Sequence, residues 1–223
     1  MELKNLIETH LDLPKLSSVL DELGPPGRLW SVQQWTRGNL AVLWEAAKGF
    51  RPLTLDDLVP PSIAPLSEVV HHGKNSLPVF SHFRKHFCRP APAPASGASG
   101  EGSGDAPVES AAELVGYNEQ ATGAFTGPGY YVARASAESG AVDFDYTKTP
   151  AQKAASWPPL APSSARLGRF VYAGAVDLVR SISSHVCVGR VRKNGRDEDV
   201  WFVLVREDRE EGGSGEGSGE GSS

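Results

Sequence analysis

A chain of 223 residues, 39% hydrophobic and with five tryptophans and eight phenylalanines, has enough apolar surface for a core, which argues against wholesale disorder. No apolar run approaches the roughly 20 residues that a membrane-spanning helix needs. The net charge of −5 is local: residues 207–223 hold six acids against Arg209, residues 97–113 hold four acids and no base, and the remainder is left at +4. That is too weak and too scattered for a nucleic-acid surface, which calls for a dense basic stripe with interleaved aromatics.

The N-terminus carries Glu2, Glu8 and Asp12 and lacks the compact apolar core of a secretory signal. Leu3, Leu6, Ile7 and Leu11 have helical spacing. Asp12 and Pro14 open a helix whose Leu16, Val19, Leu20 and Leu23 share a face, and Gly24 with Pro25 and Pro26 stops it. A second helix starts near Thr36, carries Leu40, Leu43, Trp44 and Ala47, and closes at Gly49. Residues 50–66 form a proline-broken connector with at most one helical turn after Thr54.

Residues 71–88, HHGKNSLPVFSHFRKHFC, hold four of the six histidines and no acid. After Pro78 the spacing of Phe80, Phe83 and Phe87 predicts a helix with an aromatic inner face and His82, Lys85, His86 and Arg89 outside. His82 and His86 lack the third ligand that a metal site requires, and no HExxH or CxxC pattern occurs, so no metal or cofactor is expected. The preceding turn gathers two imidazoles, an ammonium, an amide and a hydroxyl around one glycine, at the predicted start of that helix. His71, His72, Lys74, Asn75 and Ser76 are therefore candidate ligands for an anion. Two low-complexity stretches follow the same compositional theme, one from Arg89 to Ala112 and one from Gly212 to the end.

The stretch GYNEQATGAFTGPGYY, residues 116–131, is rich in glycine, aromatics and amides, which suits a loop or short helix lining a cavity; Tyr117 and Asn118 join the candidate ligands. YYVARA and AVDFDYT form a predicted hairpin, since Val142, Phe144 and Tyr146 alternate with Asp143 and Asp145. The spacing of Leu167, Val171, Ala175, Leu178 and Ile182 predicts a helix opening at Ser163 or Ser164. Last comes HVCVGRVRKNGRDEDVWFVLVRED, two strands joined through Asn194-Gly195, a pair suited to a type I′ turn. VWFVLV is apolar on both faces and reads as a covered, central strand.

The order WEAAKGF…PL followed by the WFVLVRED run is faintly similar to small lipocalin-like bacterial proteins. The strand and helix signals themselves predict an α+β fold: N-terminal helices packed on a mainly antiparallel sheet formed by the C-terminal half. Residues 1–88 and 113–208 would form one domain, with 89–112 a flexible insert and 209–223 a disordered acidic tail. Cys88 and Cys187 make no disulfide framework and read as reduced, packed thiols of a cytoplasmic protein. The expected function is binding of a small anionic or amphipathic molecule in a sheet-lined pocket with a basic His/Lys mouth. Two other readings stay open: a small enzyme using His71 and His72 as acid and base, and a protein-interaction module with flexible acidic tethers, its partner unknown.

Overall fold

The structure is a computed structural model and describes residues 3–9, 11–92, 113–120, 127–160 and 172–208. Four short helices come first: α1 (Leu3–Thr9), α2 (Leu13–Glu22), α3 (Pro25–Gln33) and α4 (Arg37–Ala46). Asp12 caps α2 by accepting from the Lys15 amide at 3.0 Å, and Thr36 and Asn39 form a reciprocal capping box on α4. Pro25 and Pro26 do more than end α2, because they occupy the first turn of α3, where a missing N–H costs nothing. One further turn, α5 (Leu55–Leu58), follows Thr54.

The remainder is sheet. Strands β1 (Val69–Asn75), β2 (His82–Cys88), β3 (Leu114–Gln120), β4 (Gly129–Ala135), β5 (Ala141–Asp145), β6 (Ala175–Ser181), β7 (Val186–Lys193) and β8 (Arg196–Arg206) follow in chain order. Each pairs antiparallel with the next, and β1 also pairs with β8, His71 opposite Arg206 and Asn75 opposite Phe202, so the sheet closes into an eight-stranded barrel. This corrects the expected α+β class. The sheet is neither open nor confined to the C-terminal half, since its first two strands come from the N-terminal half.

Two predicted helices are strands. In β2, Phe83 and Phe87 are four residues apart, a spacing that puts two side chains on one face of a helix and equally on one face of a strand. Phe83, Lys85 and Phe87 point into the barrel, while Arg84, His86 and Cys88 point out; Phe80 lies exposed in the turn before, at φ 52°. In β6, Ala175, Asp177 and Val179 face inward and Leu178 faces the helices. The predicted start of that helix, at Ser163 or Ser164, lies outside the described residues. So do most of the segment 89–112 and all of 209–223. The segment expected to be a loop or short helix around residues 116–120 is strand β3.

The two hairpins appear as the sequence indicated. β4 and β5 pair from Val132–Asp145 to Ala135–Val142, and β7 and β8 turn through Asn194 and Gly195, both with positive φ (51° and 77°). The covered character of β8 has a clear cause. Phe202 and Leu204 fill the barrel, whereas Val203 and Val205 pack outward against Leu16, Leu20, Trp35, Leu40 and Leu43 of the helical layer. Burying both faces of this one strand joins the helices to the barrel at about 25 cal/mol per Å2 of apolar surface covered.

The barrel is plugged at one end by Leu53, Leu58 and Val59 around α5, which pack on Val69, Phe87 and Tyr131. Its middle is aromatic. Tyr131 lies 5.3 Å from Phe144 and 5.4 Å from Phe87 between ring centroids. Space for Tyr131 comes from Gly116 on the adjacent strand, where an added Cβ would sit 2.5 Å from the Tyr131 ring. Among the described residues the other end is open.

Candidate functional site

Below the open end lies a cavity of about 460 Å3. Its walls include Leu77, Phe83, Val191, Val200 and Phe202; Asn75, Gln120, Lys193 and Glu198 carry polar groups among its lining. At the floor are Lys85 from β2, Tyr146 just beyond β5 and Asp177 from β6. These three residues come from distant parts of the chain and meet because alternate positions of different strands converge on one barrel axis.

The Lys85 side chain is 2% exposed. Its Nζ donates to Asp177 Oδ2 at 3.2 Å and to the Tyr146 hydroxyl, which itself donates to Asp177 Oδ2 at 3.2 Å. Five aromatic rings surround the amine: Phe83, Tyr131, Phe144, Tyr146 and Phe202, with centroids 4.9–5.6 Å from Nζ. Burial pushes the Lys85 amine below its usual value, and the Asp177 charge opposes that shift. The same burial pushes the Asp177 carboxyl up against the pull of Lys85. Tyr146 is held well above the usual phenol value by burial and by the neighbouring carboxylate. The floor is thus a buried, hydrogen-bonded unit in which Lys85 and Asp177 each offset part of the other's desolvation.

The candidate residues from the sequence are dispersed by the strand pleat. Of the seven, Asn75 and Asn118 line the cavity. Asn118 donates to the Tyr172 hydroxyl at 3.3 Å, and its Oδ1 has no partner among the described residues. His71 is buried at the plugged end, where Nε2–H donates to the Leu58 carbonyl at 2.9 Å. His72, its neighbour on the strand, points to the opposite side and meets Glu207 at 3.2 Å. Lys74 also points outward and donates to the carbonyls of Gln33 (2.5 Å) and Trp35 (2.8 Å) at the end of α3. Ser76 continues the sheet, exchanging hydrogen bonds with the backbone of Trp201. Tyr117 faces away from the barrel and stacks on His86, 4.4 Å between centroids.

His86 forms a second polar cluster, on the outer wall. Its Nδ1 meets Glu68 at 2.7 Å and its Nε2 meets Glu119 at 2.8 Å, while Trp157 Nε1 donates to Glu68 at 2.5 Å. These contacts pin the segment carrying Trp157 over β2–β4. Among the described residues no group of three or more His, Cys, Asp or Glu is arranged to hold a metal.

Lys85 and Asp177, the two residues at the centre of the site, were missed by sequence reasoning. The usable signal for Lys85 was the alternation Phe83-x-Lys85-x-Phe87, which puts a cation on the same strand face as two phenylalanines. For Asp177 the parallel signal was Ala175-x-Asp177-x-Val179.

Fold and site together define a closed up-and-down β-barrel with a blind, apolar-walled cavity and a polar floor, an architecture with room for one small ligand. The chain matches no family model, no curated protein and no solved structure. No helix among the described residues is long and apolar enough to cross a membrane.

Proposed function

We propose that this protein binds a small amphipathic molecule inside the barrel, apolar body against the walls and polar end toward the floor. The supporting observation is the coincidence of a 460 Å3 apolar-walled cavity with a buried Lys85–Asp177–Tyr146 unit at its base. A barrel stabilised for packing alone would fill this volume with side chains, because voids forfeit dispersion contacts and buried ion pairs seldom outdo an apolar filling. The sequence pointed to an anionic head; a floor whose lysine is already paired with a carboxylate favours an uncharged one.

The test is titration with a neutral solvatochromic dye, Nile red, followed by fluorescence. Wild-type protein should show saturable one-to-one binding with a blue-shifted emission. Val191→Trp, which fills the cavity from β7, should weaken binding about tenfold or more while leaving the thermal transition in place. Equal dye binding by the two proteins would place the dye elsewhere and sink the reading.

A further inference from the structure

We propose that Lys85 is a nucleophile that captures an aldehyde admitted to the cavity and holds it as an imine. The proposal deepens the binding reading above and rests on it. Three features of the floor carry it.

The first is charge. Lys85 already has a carboxylate 3.2 Å away, and the other lysine of the lining, Lys193, belongs to the far end of β7 beside the turn. An anionic ligand reaching the floor would have to share one ammonium with Asp177 in a low-dielectric site, which like charges resist. The polar end that fits is neutral. Among neutral groups an aldehyde is one to which an amine adds readily and reversibly.

The second is that both partners of the transfer are in place. A lysine in an apolar pocket is a nucleophile when its proton can be taken away, and Asp177 is within hydrogen-bond distance to take it. The step balances with these groups alone. Asp177 accepts a proton from the ammonium. The nitrogen lone pair attacks the carbonyl carbon, a C–N bond forms, and the C=O π pair moves to oxygen, which takes the proton from Asp177. Asp177 then removes a second proton from nitrogen and delivers it to the hydroxyl. Water leaves as the nitrogen lone pair forms the C=N bond. The products are a protonated imine, an ionised Asp177 and one water.

The third is that the product suits the site as well as the starting amine does. The iminium keeps Asp177 as its counterion and keeps the five ring faces that surrounded the ammonium. Phe83, Phe202 and Tyr172 border the space above it, where an aryl or alkenyl body would lie and exclude the water that reverses the reaction. The substrate class is therefore an apolar, preferably conjugated, aldehyde.

The experiment uses the full chain, cinnamaldehyde and borohydride reduction, followed by intact mass and peptide mapping. Expected is a single reduced adduct on Lys85, suppressed by excess cinnamyl alcohol, which fits the cavity but cannot form an imine. Lys85→Arg should abolish the adduct. Asp177→Asn should shift the absorbance of the unreduced complex at neutral pH from the protonated to the neutral imine. Should Lys85→Arg fail to fold, the alcohol-protected peptide map of wild-type protein decides alone. Label spread over exposed lysines such as Lys15 and Lys148, with Lys85 unmodified and the alcohol still binding saturably, overturns the imine and leaves the binding reading standing. If neither aldehyde nor alcohol binds, both fall.

Discussion

Lowering the pH should destabilise the fold in part through His71. Its ring is 2% exposed, donates through Nε2–H to the Leu58 carbonyl, and packs edge-on against Phe87 at 4.8 Å between centroids. A charged imidazolium there would be desolvated and would face the positive charge of Arg206. Burial therefore lowers its pKa from 6.5 to about 3, the Leu58 hydrogen bond opposing the shift. A depressed folded-state value means the unfolded chain binds more protons between pH 3 and 6.5, so stability is complete above that window and is lost as pH falls through it. At about pH 5 the loss is about 2 kcal/mol, from roughly 1.5 units at 1.36 kcal/mol each. The assay is urea unfolding followed by tryptophan fluorescence at about pH 7.5 and about pH 5, for wild type and His71→Gln. The glutamine amide can donate to the same carbonyl but takes up no proton. Wild type should lose about 2 kcal/mol more than the variant between the two pH values, the other titrating groups cancelling in the comparison. Equal losses would show that His71 is not the buried neutral ring described here.

Four further outcomes follow from packing and burial. Gly116→Ala sets a methyl against the Tyr131 ring and the His86 carbonyl oxygen, a backbone atom that cannot step aside, and should cost about 2–3 kcal/mol in chemical denaturation. By contrast, Gly27→Ala in α3 meets only Leu23 Cδ2 at 3.5 Å and should stabilise by about 0.5–1 kcal/mol. Lys74→Met removes two hydrogen bonds to the end of α3 and should lower stability by about 1–3 kcal/mol, with the faster amide exchange confined to that helix and its neighbours if Lys74 acts as a cap. Both thiols are buried and pushed up, Cys88 to about 11 and Cys187 to about 12, so a disulfide reagent at neutral pH should find neither in the native protein and both in denaturant; rapid native labelling would contradict this packing.

Much of the local structure was legible because it depends on neighbours in the chain. Asp12, Thr36 and Thr54 start helices through hydrogen bonds to residues three positions on, and Asn194-Gly195 turns β7 into β8 because both residues accept positive φ. The double-sided apolar pattern of VWFVLV foretold a strand covered on both faces, which the helical layer and barrel interior supply. What misled was polarity inside the barrel. Lys85 and Asp177 break the apolar alternation of β2 and β6, and with that signal broken, four-residue spacings shared by helix and strand pointed to helices.

Those two charges make sense only as a pair, and the pair exists only when β2 and β6 face each other across a closed barrel. Closure itself depends on β1 meeting β8, a contact between ends of the sheet that no local pattern encodes. The basic stretch His71–Ser76, expected as a turn and found in and just after strand β1, shows the same division. Its composition was plain, but the strand pleat sends His71 inward to Leu58, His72 outward to Glu207 and Lys74 to the end of α3. The sequence by itself determined the caps, the turns and which strand is covered on both faces, because these are settled by interactions within a few residues. Tertiary structure decided the closure, the cavity and the paired floor, because a buried charge is tolerated only beside a partner that the fold brings to it from far along the chain.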